Sequence, residues 1–118
     1  MNGSMTYGQA MAEMGRIRVQ FDALRNVAHQ MDKKAKDLAN AGQSLKQAKD
    51  KVCGSEWIGI DADAFSNKVD GLVGDAGRPG SVLYHAEALQ QAAKSLKDGA
   101  DAHEQAQIDQ VKKMMNGM

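Results

Sequence analysis

The sequence predicts an all-α protein: an antiparallel helical hairpin with a Trp-x-Gly turn, dimerising into an elongated four-helix bundle. Composition is the first reason, because only 4% of residues are aromatic and the 118 residues include a single Pro. Such a mix favours helices over sheets. The second reason is that apolar residues recur every three and four positions along two long stretches, which is the pattern of helices packed lengthwise. The third is a short Gly-containing segment between the two stretches.

The first arm is predicted at about residues 5–53, followed by a turn at 54–60. No Pro interrupts this arm, and Gly54 follows its last apolar residue, as helix C-termini prefer. Lys49 is the one charged residue in the stripe. Its other members are Met14, Ile17, Phe21, Leu24, Ala28, Met31, Ala35, Leu38, Gly42, Leu45 and Val52.

The second arm is predicted at about residues 61–115, with a Gly/Pro break at 74–80 that a helix crosses only at high cost. Asp61 is the expected N-cap of the helix that follows the turn, and Ser81 is the expected N-cap of the helix that follows the break. The stripe before the break is Phe65, Val69, Leu72 and Ala76. After it come Val82, Ala86, Leu89, Ala93, Leu96, Ala100 and His103, and the same spacing continues to Gln107, Gln110 and Met114.

Each arm would be roughly 70 Å long at 1.5 Å per residue, so the two arms match in length. A lone hairpin leaves one side of each stripe open to water, and dimerisation would cover it. Three shorter helices, with the break as a second corner, are the alternative for a single chain. The dimer seam is predicted to contain Met14, Ile17, Phe21, Leu24, Met31, Leu38, Leu45, Leu72, Leu89 and Leu96.

Charge and motif content exclude several functions. Fifteen basic residues balance fifteen acidic ones, so the uncompensated basic surface of a nucleic-acid binder is not expected. The sequence predicts no apolar run of membrane-spanning length and no Sec-type signal peptide. The four residues before Met5, Met-Asn-Gly-Ser, are either an artificial addition or the natural start. His and Cys spacing predicts no metal, no cofactor and no catalytic pair. The single cysteine, Cys53, is either a small filler or an inter-subunit disulfide.

The turn carries a more specific pattern. Trp-Ile-Gly occupies positions 57–59, and the small residues Ala62 and Ala64 and then Phe65 follow it. The chain thereby resembles the WXG family of small, early-secreted-antigen-like proteins of type VII secretion. The resemblance implies a partner-binding motif at Trp57, Gly59 and Phe65, in which the turn forms a cleft with a partner's C-terminal arm. An end plug of the hairpin is the purely structural interpretation of Trp57.

The resemblance implies a secretion substrate or adaptor/chaperone, not an enzyme, that acts through protein–protein contacts. Expected partners are a second copy, a WXG-like or toxin helical domain, and the secretion ATPase. We expect the protein to be secreted after a cytoplasmic stage and to have a role in virulence. An intracellular coiled-coil scaffold and a membrane-active helical protein are the alternatives. The family's Tyr-x-x-x-Asp/Glu export signal has only a degenerate counterpart, Tyr84 and Glu87, so we expect export with a partner rather than alone.

Overall fold

The computed structural model describes residues 5–116; the proposed leader, residues 1–4, and the C-terminal Met118 lie outside this range. Three helices follow one another along the chain: α1 (Tyr7–Val52), α2 (Ile60–Val73) and α3 (Val82–Asn116). The described residues contain no strand, so the predicted all-α class is confirmed.

Two helix starts show how local sequence fixes these bounds. Thr6 and Gln9 form a reciprocal capping box before α1: each backbone N–H donates to the other side chain, at 3.0 and 3.1 Å. At α2 the prediction of Asp61 as the N-cap was wrong. Gly59 occupies that position with φ +122°. Asp61 lies in the first turn, where its negative charge interacts favourably with the positive end of the helix dipole.

The contacts divide the chain into two units, of which the first combines residues up to Gln30 with residues from Ala93 onward. Here the beginning of α1 packs antiparallel on the end of α3. The buried apolar cluster consists of Ala10, Met14, Ile17, Phe21, Ala100, Ile108 and Val111, with Met5 and Met115 packed against it.

The end of α3 corrects the predicted stripe. Gln107 and Gln110 are exposed, and the buried residues are Ile108 and Val111, one position further along. A straight helix with 3.6 residues per turn drifts by about 20° per heptad from a 3.5-residue repeat. The strict heptad spacing therefore loses the buried face over several turns.

The second unit comprises residues 31–92: the end of α1, all of α2 and the beginning of α3. Its interior is built from small side chains, which allow the helices to approach closely. A Cβ at Gly42 would lie 3.1 Å from a methyl group of Val82 and 3.5 Å from one of Val73. The buried apolar residues of this unit are Ala35, Ala62, Val69, Val73 and Ala86.

The Gly/Pro break is an excursion from the second arm and not a second corner. Lys49 contacts Asp70 before the break, and Gly42 contacts Val82 after it. Val73 at the end of α2 also lies opposite Gly42, so the residues between Val73 and Val82 loop out while the antiparallel direction is kept. The helix–helix contacts fit the predicted hairpin and exclude the alternative fold with a corner at the break.

Hydrogen bonds give this excursion a defined conformation. Asp75 accepts from the Gly77 N–H through its side chain and from the Ser81 hydroxyl through its carbonyl. Ser81 in turn accepts from the Tyr84 N–H at 3.2 Å, which confirms its predicted role as the N-cap of α3. Gly74 has φ +58°, and a Cβ there would lie 2.2 Å from the Ser81 Cβ, so glycine is required at this position.

Candidate partner-binding face and Trp-x-Gly turn

The turn between α1 and α2 is held by backbone hydrogen bonds around Trp57. Its N–H donates to the Val52 carbonyl at 3.0 Å, and its carbonyl accepts from the Gly54 N–H at 2.8 Å. Gly54 and Gly59 both have positive φ, +92° and +122°, which L side chains rarely adopt. The two glycines therefore allow the chain to reverse in so few residues.

Trp57 and Phe65 lie together on the outside of the turn. Their ring centroids are 5.6 Å apart with the planes tilted by 45°, a favourable geometry for an aromatic pair. Trp57 is nevertheless 40% exposed and Phe65 47% exposed, and Ile58 and Ile60 are more exposed still. The turn thus ends in apolar surface that this chain does not cover.

Apart from the turn residues, most larger apolar residues left at the surface of the second unit share one spacing. They come three positions after a residue of the helix–helix seam: Leu38 follows Ala35, and Leu72 follows Val69. Three positions correspond to about 60° around a helix, and in antiparallel helices the same rotation leads to the same side of the pair. We call this surface the pairing face; it comprises Met31, Leu38, Leu45, Val52, Phe65, Leu72 and Leu89, all half-buried or exposed.

The opposite side of the seam has a different character. Four positions after the seam residues come mostly polar side chains, among them Asp32, Lys46, Ser66 and Gln90. Lys36, on the same side of α1, is paired with Asp32 at 2.9 Å. One side of this unit is therefore apolar and uncovered within residues 5–116, whereas the other carries mostly polar side chains.

The remaining predicted seam residues lie in the first unit. Met14, Ile17 and Phe21 are buried within the chain. Leu24 is partly exposed and Leu96 half-buried; each also comes three positions after a buried residue. The sequence stripe thus contains two sets of positions: one is covered by the hairpin itself and the other is left at its surface.

Arg25 links the two arms within the first unit. Its guanidinium contacts Asp101 at 2.7 Å and Glu104 at 2.8 Å on α3, and Asp22 at 2.8 Å on α1. The hydrogen bonds that Arg25 donates to Glu104, and then to Asp101, raise its pKa above the ordinary value. The cluster fixes α3 against α1 with planar, multidentate contacts.

A second ion pair lies in the seam beside the turn, where sequence reasoning had only noted a charge in the stripe. Lys49 has a side chain that is 5% exposed, and its Nζ lies 2.7 Å from Oδ1 of Asp70 and also contacts Asp50. The hydrogen bonds that Lys49 donates to Asp50, and then to Asp70, raise its pKa. The signal was a lysine at an inward position of a heptad, together with an acidic residue on the opposite arm.

Tyr84 and Glu87, the degenerate export signal, lie inside the first turns of α3. The Tyr84 ring packs edge-on against His85, with centroids 5.7 Å apart. Glu87 accepts a hydrogen bond from Gln91 at 3.1 Å. Both residues are thus part of a regular helix that packs on α1.

No group of three or more His, Cys, Asp or Glu side chains in residues 5–116 could hold a metal ion. No helix of this range is long and apolar enough to cross a membrane. Cys53 is a half-buried free thiol bridged through its backbone to Trp57.

The candidate site thus combines an apolar face on an antiparallel helical hairpin with an exposed aromatic turn. The WXG100 family, described as proteins of 100 residues with WXG, matches residues 16–76, just over half of the chain. The chain belongs to this family and is a small protein related to type VII secretion. No curated protein and no solved structure matches the chain.

The family match covers most of α1, the turn and α2, and it ends within the break. Proteins of this family form dimers or pair with other proteins, and they are small helical secreted proteins. The rest of the break, from residue 77 onward, and α3 lie outside the matched range.

Proposed function

We propose that this protein is a type VII secretion substrate or adaptor that works by pairing through the pairing face. The partner is a second copy or the helical domain of a larger secreted toxin, and the paired form is a four-helix bundle. The observation that carries this proposal is the sidedness of the hairpin. Its seam is covered within the chain, its charged side is solvated, and its Leu-rich side has no cover.

Trp57 and Phe65 extend the pairing face around the turn. A rigid, half-exposed aromatic pair supplies a large contact area at low cost in side-chain entropy, as is typical of interface anchors. A partner bound along the face would therefore also meet the Trp-x-Gly turn. This is the arrangement by which a partner's C-terminal arm could complete a cleft for the secretion ATPase.

We further propose that pairing, not residues 84–87, delivers the protein for export. The ordered position of Tyr84 and Glu87 inside α3 supports this, because a helix packed on its neighbour does not present a free arm. The protein would then leave the cell as part of a complex, after a cytoplasmic stage in which the complex forms.

The test uses a secretion-competent host that expresses the full chain with and without a neighbouring partner gene. Leu45→Asp should abolish both complex formation and export, because it places an unpaired carboxylate in the buried interface. Tyr84→Ala is the matched control, and we expect export close to that of the wild type. Export of Leu45→Asp at wild-type yield would refute the proposal, and so would loss of export in Tyr84→Ala with pairing intact.

A further inference from the structure

The rotation of α2 about its own axis is not fixed by hydrophobicity alone. The helix buries Ala62, Val69 and Val73, which are 1%, 6% and 0% exposed, while the larger Phe65 and Leu72 remain outside, Leu72 at 57%. A turn of about 60° would bring Phe65 and Leu72 into the seam in place of Ala62 and Val69, and it would also move Val73 out. Burial of apolar area alone therefore does not decide between the two rotations.

The ion pair between Lys49 and Asp70 opposes this rotation. Asp70 lies on the side of α2 away from Leu72, so a rotation that brings Leu72 into the seam moves Asp70 to the far side of the helix. The buried ammonium of Lys49 would then keep only Asp50, a neighbour on α1 whose side chain is largely exposed. Although the Asp70 side chain is 43% exposed, that of Lys49 is only 5% exposed, and removing a partner from a buried charge is unfavourable.

Asp70 depends on the same contact. Its Oδ1 is shielded from solvent and makes no hydrogen bond of good geometry with the described residues. The Lys49 ammonium, at 2.7 Å, provides the compensating charge. Both groups therefore favour the one rotation of α2 in which they meet.

We propose that Lys49 and Asp70 form a rotational lock that keeps Phe65 and Leu72 facing the partner. The ion pair would determine which protein binds the pairing face without itself contacting that protein. The bound protein would present an apolar helical surface that fits the pairing face. This inference rests on the proposed function for its biological meaning, whereas the lock itself is a property of the single chain.

A lock differs from a simple contribution to stability. Replacing a buried ion pair by apolar residues of similar volume is often neutral or stabilising. A chain with Lys49→Met and Asp70→Leu should therefore stay folded while losing its preference for one rotation of α2. Stability and presentation of the face can thus be measured separately.

The experiment compares the full-length wild type with the Lys49→Met/Asp70→Leu double variant. A soluble gadolinium chelate, added to dilute monomer, reports the solvent exposure of the Leu72 methyl groups by NMR relaxation. We expect this relaxation to fall at least about twofold in the variant, since a seam position such as that of Val69 is buried. Helicity and Tm should equal or exceed those of the wild type, while pairing weakens roughly tenfold.

Two controls restrict the interpretation. Asp50→Asn removes the exposed partner of Lys49 and should leave the Leu72 relaxation and the pairing unchanged. Lys49→Arg keeps a charge for Asp70 and should retain the wild-type Leu72 relaxation. If the double variant does not fold, Asp70→Asn, which is nearly isosteric, carries the same expectation for the Leu72 relaxation and for pairing, but with a lower Tm because Lys49 loses this charged partner.

Unchanged Leu72 relaxation and unchanged pairing in a folded variant would overturn the lock. The NMR measurement needs no partner, so it decides this question even if the wild type proves not to pair. Failure of the wild type to pair would instead count against the proposed function. The two ideas therefore fail on different observations.

Discussion

Truncating Leu72 should weaken pairing without unfolding the hairpin. Leu72 keeps 57% of its surface exposed in the single chain, so little of its burial contributes to the fold. Complete burial of a leucine side chain is worth about 2 kcal/mol, and covering the remaining half in a complex is worth about 1 kcal/mol. In a symmetric dimer two copies are covered, which gives about 2 kcal/mol, or a roughly 30-fold increase in Kd for Leu72→Ala.

Sedimentation equilibrium over a concentration series measures this change in Kd, with circular dichroism on the same samples to follow helicity. Val19→Ala is the matched control, because Val19 is exposed on α1 but does not belong to the pairing face. Its Kd should stay within about twofold of the wild type. If Leu72→Ala and Val19→Ala dissociate alike, the pairing face has been placed on the wrong side of the hairpin.

Three further predictions concern the break, the turn and the seam. Gly74→Ala should lower the free energy of unfolding by about 2 kcal/mol or more, because the new Cβ would both strain the positive φ and clash with Ser81. Gly80→Ala has the same kind of strain but open space around the Cβ, and should cost about 1 kcal/mol. Equal losses for the two variants in chemical denaturation would contradict the packing argument. Trp57→Ala should leave helicity by circular dichroism nearly intact but reduce partner capture, whereas unfolding would support the end-plug interpretation. Because folding raises the pKa of Lys49, protonated Lys49 stabilises the folded state fully below the ordinary lysine pKa, and this stabilisation is lost as the pH rises through the folded pKa. Above about pH 10.5 the Tm of the wild type should therefore fall faster with pH than that of Lys49→Met.

The helical class and the hairpin were predictable because heptad spacing and turn chemistry are local properties. The spacing also contained both the seam and the pairing face, which alternate along the same stripe. Sequence alone did not separate the two sets, since the positions that are covered depend on the register between the arms. Ala35 and Leu38 illustrate this: the smaller residue lies inside, and the larger one lies on the surface.

Other features required contacts that are distant in sequence. The pair of Lys49 and Asp70 spans the turn, and only the folded register brings the two residues together. The excursion at the break was visible as glycines and a proline, but its length in the fold emerged only from the positions that face α1. The capping box of Thr6 and Gln9 has a recognisable sequence pattern, but it lies before the first apolar residue of the stripe and was not predicted.

The excursion between α2 and α3 also affects how the protein opens locally. It separates α2, whose buried apolar residues are only Ala62, Val69 and Val73, from the longer helix that follows. Cooperative units with few buried contacts exchange their amide hydrogens at low opening free energies, whereas those with large apolar cores exchange near the global limit. Residues 53–81 should therefore form the first unit to open. If a partner orders this unit, amide exchange should slow throughout it, including at residues that do not contact the partner.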